Sequence, residues 1–171
     1  GINVGANIRT SATEIIAERL EQIGISMLQE NPYRVNELAP LAPGIKEFIQ
    51  KLPPGIILAI ASGTRRETID QILQSHKIVG NIDILARVGN AIVGERDVRY
   101  PKPTSEYYLH AMLKLFDKIE ADGKQTLRGT AVRDVLWIGD FVGSEPDRAK
   151  SRNYSVLHIA GDNAVAQAPL S

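Results

Sequence analysis

The chain has 171 residues, 43% of them hydrophobic and 23% charged, which is typical of one globular domain that buries its own core. Its 20 basic and 20 acidic residues balance, and no apolar run approaches the roughly 18 residues of a membrane span, so we expect neither nucleic acid nor a membrane as a partner. The absence of cysteine excludes disulfide bonds and thiolate chemistry. Because the first residues also lack the pattern of a signal peptide, we expect a cytoplasmic protein.

The first forty residues predict a small helical layer. Ser11 and Glu14 form the pattern of a capping box, and apolar residues recur at helical spacing from there to Ile23. Gly24 predicts the end of this helix, and a shorter helical stretch is predicted to follow it and to end at Glu30.

The next part of the chain predicts helices that alternate with strands. Residues 45–52 have apolar side chains at the spacing of a core-facing helix. Residues 56–61 are apolar on both alternating faces, as expected for a buried parallel strand. Thr64 and Glu67 then form a second capping-box pattern, which predicts a helix that ends near His76.

The remaining elements complete an α/β pattern. Strand-like residues 82–88 and 91–93, separated by Gly89-Asn90, predict a hairpin. The elements predicted after it are a helix that begins after Thr104 with Tyr108, Ala111, Met112 and Leu115 on one face, a strand at residues 135–138, a short helix at residues 146–152 and a strand at residues 155–160. Strands that alternate with helices indicate the α/β class, with a Rossmann-like, mainly parallel sheet flanked by helices.

Polar residues follow two of these strands or precede a helix, at the places where open α/β sheets position their functional sites. Ser62 follows the first apolar strand, and Lys102 precedes a helix. Asp140 ends a later strand, and Glu145 lies five residues beyond it. Singly, each has an ordinary structural explanation, such as a helix cap, a solvated lysine or an acid at a helix start. Their order and spacing together favour a functional site.

These residues occur in recognisable motifs. The apolar strand that ends at Ser62 is similar to the second motif of the haloacid dehalogenase superfamily of phosphohydrolases. Lys102-Pro103 is similar to the third motif, and Gly139-Asp140 followed by Glu145 to the fourth, although the superfamily usually has aspartate at the position of Glu145. The resemblance covers about residues 41–160 and implies a hydrolase of the phosphatase type.

The resemblance also implies how the chain is divided. The segment that begins at Leu41 resembles the return from a helical cap to the core domain of this superfamily. Residues 1–40 would therefore be part of a cap, and residues 41–171 would form the α/β core without its first strand.

The resemblance assigns phosphate binding to Ser62, Gly63 and Lys102. Ser62 can donate its hydroxyl, the amide of Gly63 lies where a helix N-terminus favours an anion, and Lys102 supplies a positive charge. Ser62 and Lys102 are also the predicted catalytic residues, since phosphoryl transfer depends on positioning and charge stabilisation. The expected substrate is a small phosphorylated metabolite.

The fourth motif implies a metal site. Asp140 and Glu145 would bind Mg²⁺, which prefers hard oxygen ligands and keeps several of its waters. Because glutamate has one methylene more than aspartate, direct ligation by Glu145 is less secure, and Asp147 is an alternative second acid.

The first motif of the superfamily, Asp-x-Asp, does not occur in the 171 residues, whose first aspartate is Asp70. In the superfamily its first aspartate attacks phosphorus and its second acts as acid and base. Since the chain does not begin with Met, we expect this strand and its nucleophile to come from an upstream segment or from a second chain. Two alternatives remain: a catalytically inactive scaffold or binding subunit with this fold, and an unrelated doubly wound binding domain in which Ser62, Lys102 and Asp140 lie far apart.

Overall fold

The computed structural model describes residues 12–100, 102, 104–123, 134–139 and 155–158. The helices in these residues are α1 (Ala12–Glu30), α2 (Val35–Leu38), α3 (Ile45–Lys51), α4 (Arg66–Ile78), α5 (Leu85–Val88) and α6 (Ser105–Ala121). The strands are β1 (Ile60–Ala61), β2 (Ile92–Val93), β3 (Leu136–Gly139) and β4 (Ser155–His158). Short 3-10 helices cover Pro32–Arg34 and Glu95–Asp97. None of the helices in this part of the chain combines the length and apolarity that crossing a membrane requires.

The described strands form two parallel pairs. β1 pairs with β2, so that Ile60 lies opposite Ile92. β3 pairs with β4, from Leu136 opposite Ser155 at one end to Gly139 opposite His158 at the other. Because α4 and α5 connect β1 to β2, the arrangement confirms the predicted α/β class with parallel strands.

The first helix is longer than predicted. α1 continues through Gly24 to Glu30, so the prediction that Gly24 ends it is wrong. A glycine inside a helix costs only about 1 kcal/mol relative to alanine, and the apolar spacing continues beyond it to the buried Leu28. The helix ends before Asn31, whose side-chain oxygen accepts a hydrogen bond from the amide of Tyr33 and caps the next turn. The predicted cap at Ser11 lies outside the described residues, and the division of the chain at residue 40 stays a prediction.

The predicted hairpin is wrong. α5 forms where a strand was predicted, and Gly89, with φ of 56°, ends it. Ile84 and Val88 are four residues apart and both buried, which suits one turn of helix facing the core. Asp83 supports this turn, because its side chain accepts a hydrogen bond from the amide of Ala86 at 3.0 Å. β2 follows and pairs with β1 in parallel instead of with the preceding segment.

The first predicted strand is shorter than its apolar run. Two residues, Ile60 and Ala61, pair with β2, whereas Ile56 and Ile57 are 49% and 39% exposed. The apolar run is therefore longer than the ladder that it forms with β2, which pairs over two residues.

Among the described residues, the core consists of two apolar clusters. One joins α3, α4 and α5 around Ile92. The other surrounds α6, and residues of β1, β2 and β3 pack against it. The prediction for α6 is confirmed, because Thr104 accepts a hydrogen bond from the amide of Tyr107 at the start of the helix and all four predicted core residues are buried. The ring of Tyr108 lies 5.1 Å from that of Trp137 in β3, edge to face. The α6 cluster therefore joins the two strand pairs.

Candidate functional site

Ser62 lies directly beyond the carboxyl end of β1. Its amide donates to the carbonyl oxygen of Val93 at 3.0 Å, which extends the contact between β1 and β2 by one bond. Its hydroxyl oxygen accepts a hydrogen bond from the amide of Thr64 at 3.1 Å. The hydroxyl is half-buried, and its proton can still be donated to a bound anion. The backbone therefore fixes Ser62 at the mouth of the parallel pair.

Gly63 lies at the exposed tip of the turn, with no other atom within 4 Å of where its Cβ would be. The capping box predicted at Thr64 and Glu67 is wrong, because α4 begins at Arg66 and its cap residue Arg65 makes no side-chain cap bond. Since the amide of Thr64 bonds to the hydroxyl of Ser62, it belongs to the turn and not to the helix. We call residues 62–66 the Ser62 loop.

Ion pairs connect the Ser62 loop to α1. Arg65, whose side chain is only 12% exposed, pairs with Glu18 at 2.8 Å and with Glu21 at 3.1 Å. Arg96, in the turn after β2, also reaches Glu18 at 3.4 Å. One helix thus contacts the loops that follow both β1 and β2. The sequence pattern does not reveal these pairs, because their partners are far apart in the chain.

Arg66 ties the start of α4 to β2. Its Nε donates to both carboxylate oxygens of Asp70, at 2.9 and 2.8 Å, one helical turn further on. Its Nη1 donates to the carbonyl oxygen of Ile92 at 3.0 Å. The guanidinium thus donates hydrogen bonds to a side chain and to the backbone at once, which its planar set of donors allows. Arg66 holds the far end of the Ser62 loop against the neighbouring strand.

Lys102 lies just before the N-terminus of α6 and is exposed. Its Nζ is 5.9 Å from the centre of the Tyr107 ring, within range of a cation–π contact. Tyr107 is buried in the α6 cluster, against which Ala61 of β1 also packs. Lys102 and Ser62 therefore both adjoin residues of one cluster, and their roles toward phosphate stay a prediction.

The predicted metal ligands Asp140, Glu145 and Asp147 lie outside the described residues. β3 ends at Gly139, so Asp140 directly follows its carboxyl end. Within the part of the chain that the structure describes, no group of three or more histidine, aspartate or glutamate side chains is arranged to hold a metal ion. The magnesium site stays a prediction.

His76 is buried in α4 and belongs to a polar network that connects α4 to the end of α2. One ring nitrogen lies 3.0 Å from the carbonyl oxygen of Ala39, and the other lies 2.9 Å from the side-chain amide of Asn81. Burial lowers the pKa of His76 below its usual value of 6.5, although the hydrogen bond to Ala39 opposes this shift. The neutral ring thus connects the chain before Pro40 to α4 and is a structural group.

A family model described as haloacid dehalogenase-like hydrolase matches residues 4–141 of the chain. The match includes Ser62, Lys102 and Asp140 and ends before Glu145. It begins well ahead of residue 41, where the resemblance seen in the sequence begins. No curated protein and no solved structure gives a match. Since the matched residues are most of the sequence, the match excludes the alternative of an unrelated doubly wound binding domain. The chain therefore belongs to the haloacid dehalogenase-like hydrolases.

Proposed function

We propose that the protein is a Mg²⁺-dependent phosphohydrolase that acts on a small phosphorylated metabolite. The observation that carries the proposal is the Ser62 loop, which presents a hydroxyl and an exposed glycine at the carboxyl end of a parallel strand in a chain of this hydrolase family. Family membership accounts for a hydrolase; the phosphate ester and the metal are our proposal.

The phosphate-binding residues are Ser62, Gly63 and Lys102. A phosphoryl group concentrates negative charge on its oxygens, so it needs hydrogen-bond donors and a cation at fixed positions. The Ser62 hydroxyl and the exposed Gly63 amide are such donors, and Lys102 provides the cation. Arg65 is engaged by two carboxylates of α1, which makes it a poor candidate for a second phosphate ligand.

The metal ligands are Asp140 and Glu145, with Asp147 as the alternative second acid. These carboxylates supply the hard oxygens that Mg²⁺ prefers, and in the sequence Asp140 directly follows Gly139, the last residue of β3. The bound ion would offset the negative charge of the phosphate and of an attacking carboxylate.

The nucleophile comes from outside the 171 residues, because they contain no Asp-x-Asp. Among the described strands, β1 and β3 are not hydrogen-bonded to each other, yet residues of both pack against the α6 cluster. A strand added between them, from another segment of the polypeptide or from a second chain, would join the two pairs into one sheet and cover their edges.

The test measures phosphate release from p-nitrophenyl phosphate by the full-length protein. We expect activity that disappears with EDTA and returns with Mg²⁺, and that falls at least a hundredfold in Asp140→Asn and at least tenfold in Lys102→Ala. Lys114→Ala, which changes an exposed lysine of α6, is the matched control and should leave the activity unchanged.

Two results would overturn the proposal: no activity above background in folded full-length protein, or activity that Asp140→Asn does not change. The first result would favour the scaffold or binding subunit. The cytoplasmic location also stays a prediction, and fractionation of cells that produce the full-length protein tests it.

A further inference from the structure

Gly94, directly after β2, is buried against the Ser62 loop. A Cβ at this position would lie 2.6 Å from the amide nitrogen of Arg66 and 2.9 Å from the carbonyl oxygen of Thr64. Both distances are shorter than any ordinary contact of a methyl group, and both neighbours are backbone atoms that cannot rotate away. The φ of Gly94 is −101°, which any residue can adopt. Glycine is therefore required here by the close backbone atoms and not by the backbone conformation.

Hydrogen bonds hold the same two backbone segments together on either side of Gly94. The amide of Ser62 donates to the carbonyl oxygen of Val93 at 3.0 Å, and the amide of Glu95 donates to the carbonyl oxygen of Thr64 at 3.0 Å. Both bonds involve main-chain atoms of the Ser62 loop. The path of the loop thus follows the last residue of β2 and the turn after it.

The turn after β2 is itself fixed. The carboxylate of Asp97 accepts a hydrogen bond from the amide of Gly94 at 2.9 Å and lies 3.8 Å from the Nζ of Lys118 in α6. The amide of Asp97 in turn donates to the carbonyl oxygen of Gly94 at 3.1 Å. The turn is therefore a rigid support and would resist yielding to a larger side chain at Gly94.

We propose that Gly94 is a positioning residue for phosphate binding: by lacking a side chain it lets the Ser62 loop lie against β2, which aims the Ser62 hydroxyl and the Gly63 amide. This inference rests on the proposed function of the loop. An alanine at Gly94 pushes Thr64 and Arg66 outward. Because the amide of Thr64 bonds to the hydroxyl oxygen of Ser62, the hydroxyl moves with it.

The test compares Gly94→Ala with Gly55→Ala in the full-length protein. Gly55 lies ahead of β1, at the opposite end of that strand, and no atom lies within 4 Å of where its Cβ would be. We expect Gly94→Ala to raise both the KM for p-nitrophenyl phosphate and the inhibition constant of inorganic phosphate about tenfold, with kcat changed less than threefold. It should also speed amide hydrogen exchange in residues 62–66 but not in α6. Gly55→Ala should change none of these.

Failure of the inference and failure of the proposed function give different results. Unchanged phosphate affinity and unchanged exchange in folded Gly94→Ala would overturn the inference while phosphatase activity persists. If wild-type protein neither hydrolyses nor binds phosphate, the proposed function fails and the role toward phosphate fails with it. The exchange measurement then decides only whether Gly94 positions the Ser62 loop: faster exchange confined to the loop supports this, and unchanged exchange overturns it.

A second variant covers the case in which Gly94→Ala does not fold. Glu95→Pro removes the amide that donates to Thr64 and brings the proline ring against the same carbonyl oxygen, although the backbone at the first residue of a 3-10 helix suits proline. We expect about a threefold rise in the KM and faster exchange in residues 62–66. A folded Glu95→Pro protein with wild-type KM and exchange would overturn the inference.

Discussion

α1 and α6 are the two longest helices of the described chain, and they make different kinds of contact. α6 buries six side chains: Tyr107, Tyr108, Ala111, Met112, Leu115 and Ile119. Of the α1 side chains that the structure describes, Leu28 is buried, whereas four large apolar ones are exposed: Ile15, Ile16, Leu20 and Ile23. Both sequences have apolar residues at helical spacing. Periodicity therefore predicts a helix, but it does not tell how much of the apolar face is buried.

The contacts of α1 with the loops that follow β1 and β2 include ion pairs. Glu18 and Glu21 pair with Arg65, and Glu18 also pairs with Arg96. Ion pairs with partly exposed carboxylates contribute little to stability and weaken with salt, whereas burial contributes roughly 25 cal/mol per Å² of apolar surface. We therefore expect α6 to be part of the stable core and α1 to open more easily.

The largest effect should follow truncation of the α6 core. Tyr108 is fully buried between Tyr107 and Trp137, so Tyr108→Ala should lower the free energy of unfolding by about 3–5 kcal/mol. Leu20→Ala, at a position 62% exposed in α1, should change it by less than about 0.5 kcal/mol. Urea denaturation of both variants measures the difference. Equal losses would show that α1 is as firmly packed as α6.

A smaller effect should appear on acidification, through a buried group that belongs to neither helix. The pKa of His76 is lowered by burial, so the unfolded chain binds its proton more readily than the folded protein does. The free energy of unfolding should therefore decrease as the pH falls below about 6.5. His76→Gln should flatten this dependence, which urea denaturation between pH 5 and pH 7.5 can measure. Parallel curves for both proteins would contradict this account.

The smallest effect should come from the ion pairs of α1. Glu18→Gln should cost about 0.5 kcal/mol of stability, yet it should speed amide exchange in α1 without changing that of α6. Added salt should act on wild type in the same direction. Glu37→Gln is the matched control, since Glu37 is largely exposed and pairs with Arg34 on its own segment. An α1 that exchanges as slowly as α6 in Glu18→Gln would contradict the ionic account.

The sequence predicts best where local signals agree. For α6, the cap residue Thr104 and the apolar spacing both indicate the same helix, and the structure contains it. The strand predicted at residues 82–88 and the hairpin are wrong, because a one-turn helix is too short to distinguish its spacing from alternation, and Gly89-Asn90 is equally suited to a hairpin turn. The strand predicted at residues 91–93 is confirmed as β2. The prediction that α1 ends at Gly24 is wrong, because a glycine ends a helix only when the following residues favour another structure.

The sequence predicts those features of the candidate site that are local in the chain and misses those that join distant segments. The position of Ser62 after a strand is a local property of the apolar run, and the structure places it there. The contacts of Gly94 with Thr64 and Arg66, and those of Arg65 with α1, join segments that are distant in the chain. A glycine after a strand signals a close approach of backbone, but it does not name the partner.

The parallel pairing of β1 with β2 has a consequence for protein synthesis. The Ser62 loop takes its hydrogen bonds from Val93 and Glu95, which the ribosome adds only after α4 and α5. A nascent chain that ends before these residues lacks the main-chain partners of the loop and has, of the described contacts with distant residues, only the ion pairs of Arg65 with α1 to order it, whereas α4 can form from local contacts alone. The candidate phosphate site is thus completed after the helix that follows it in the chain.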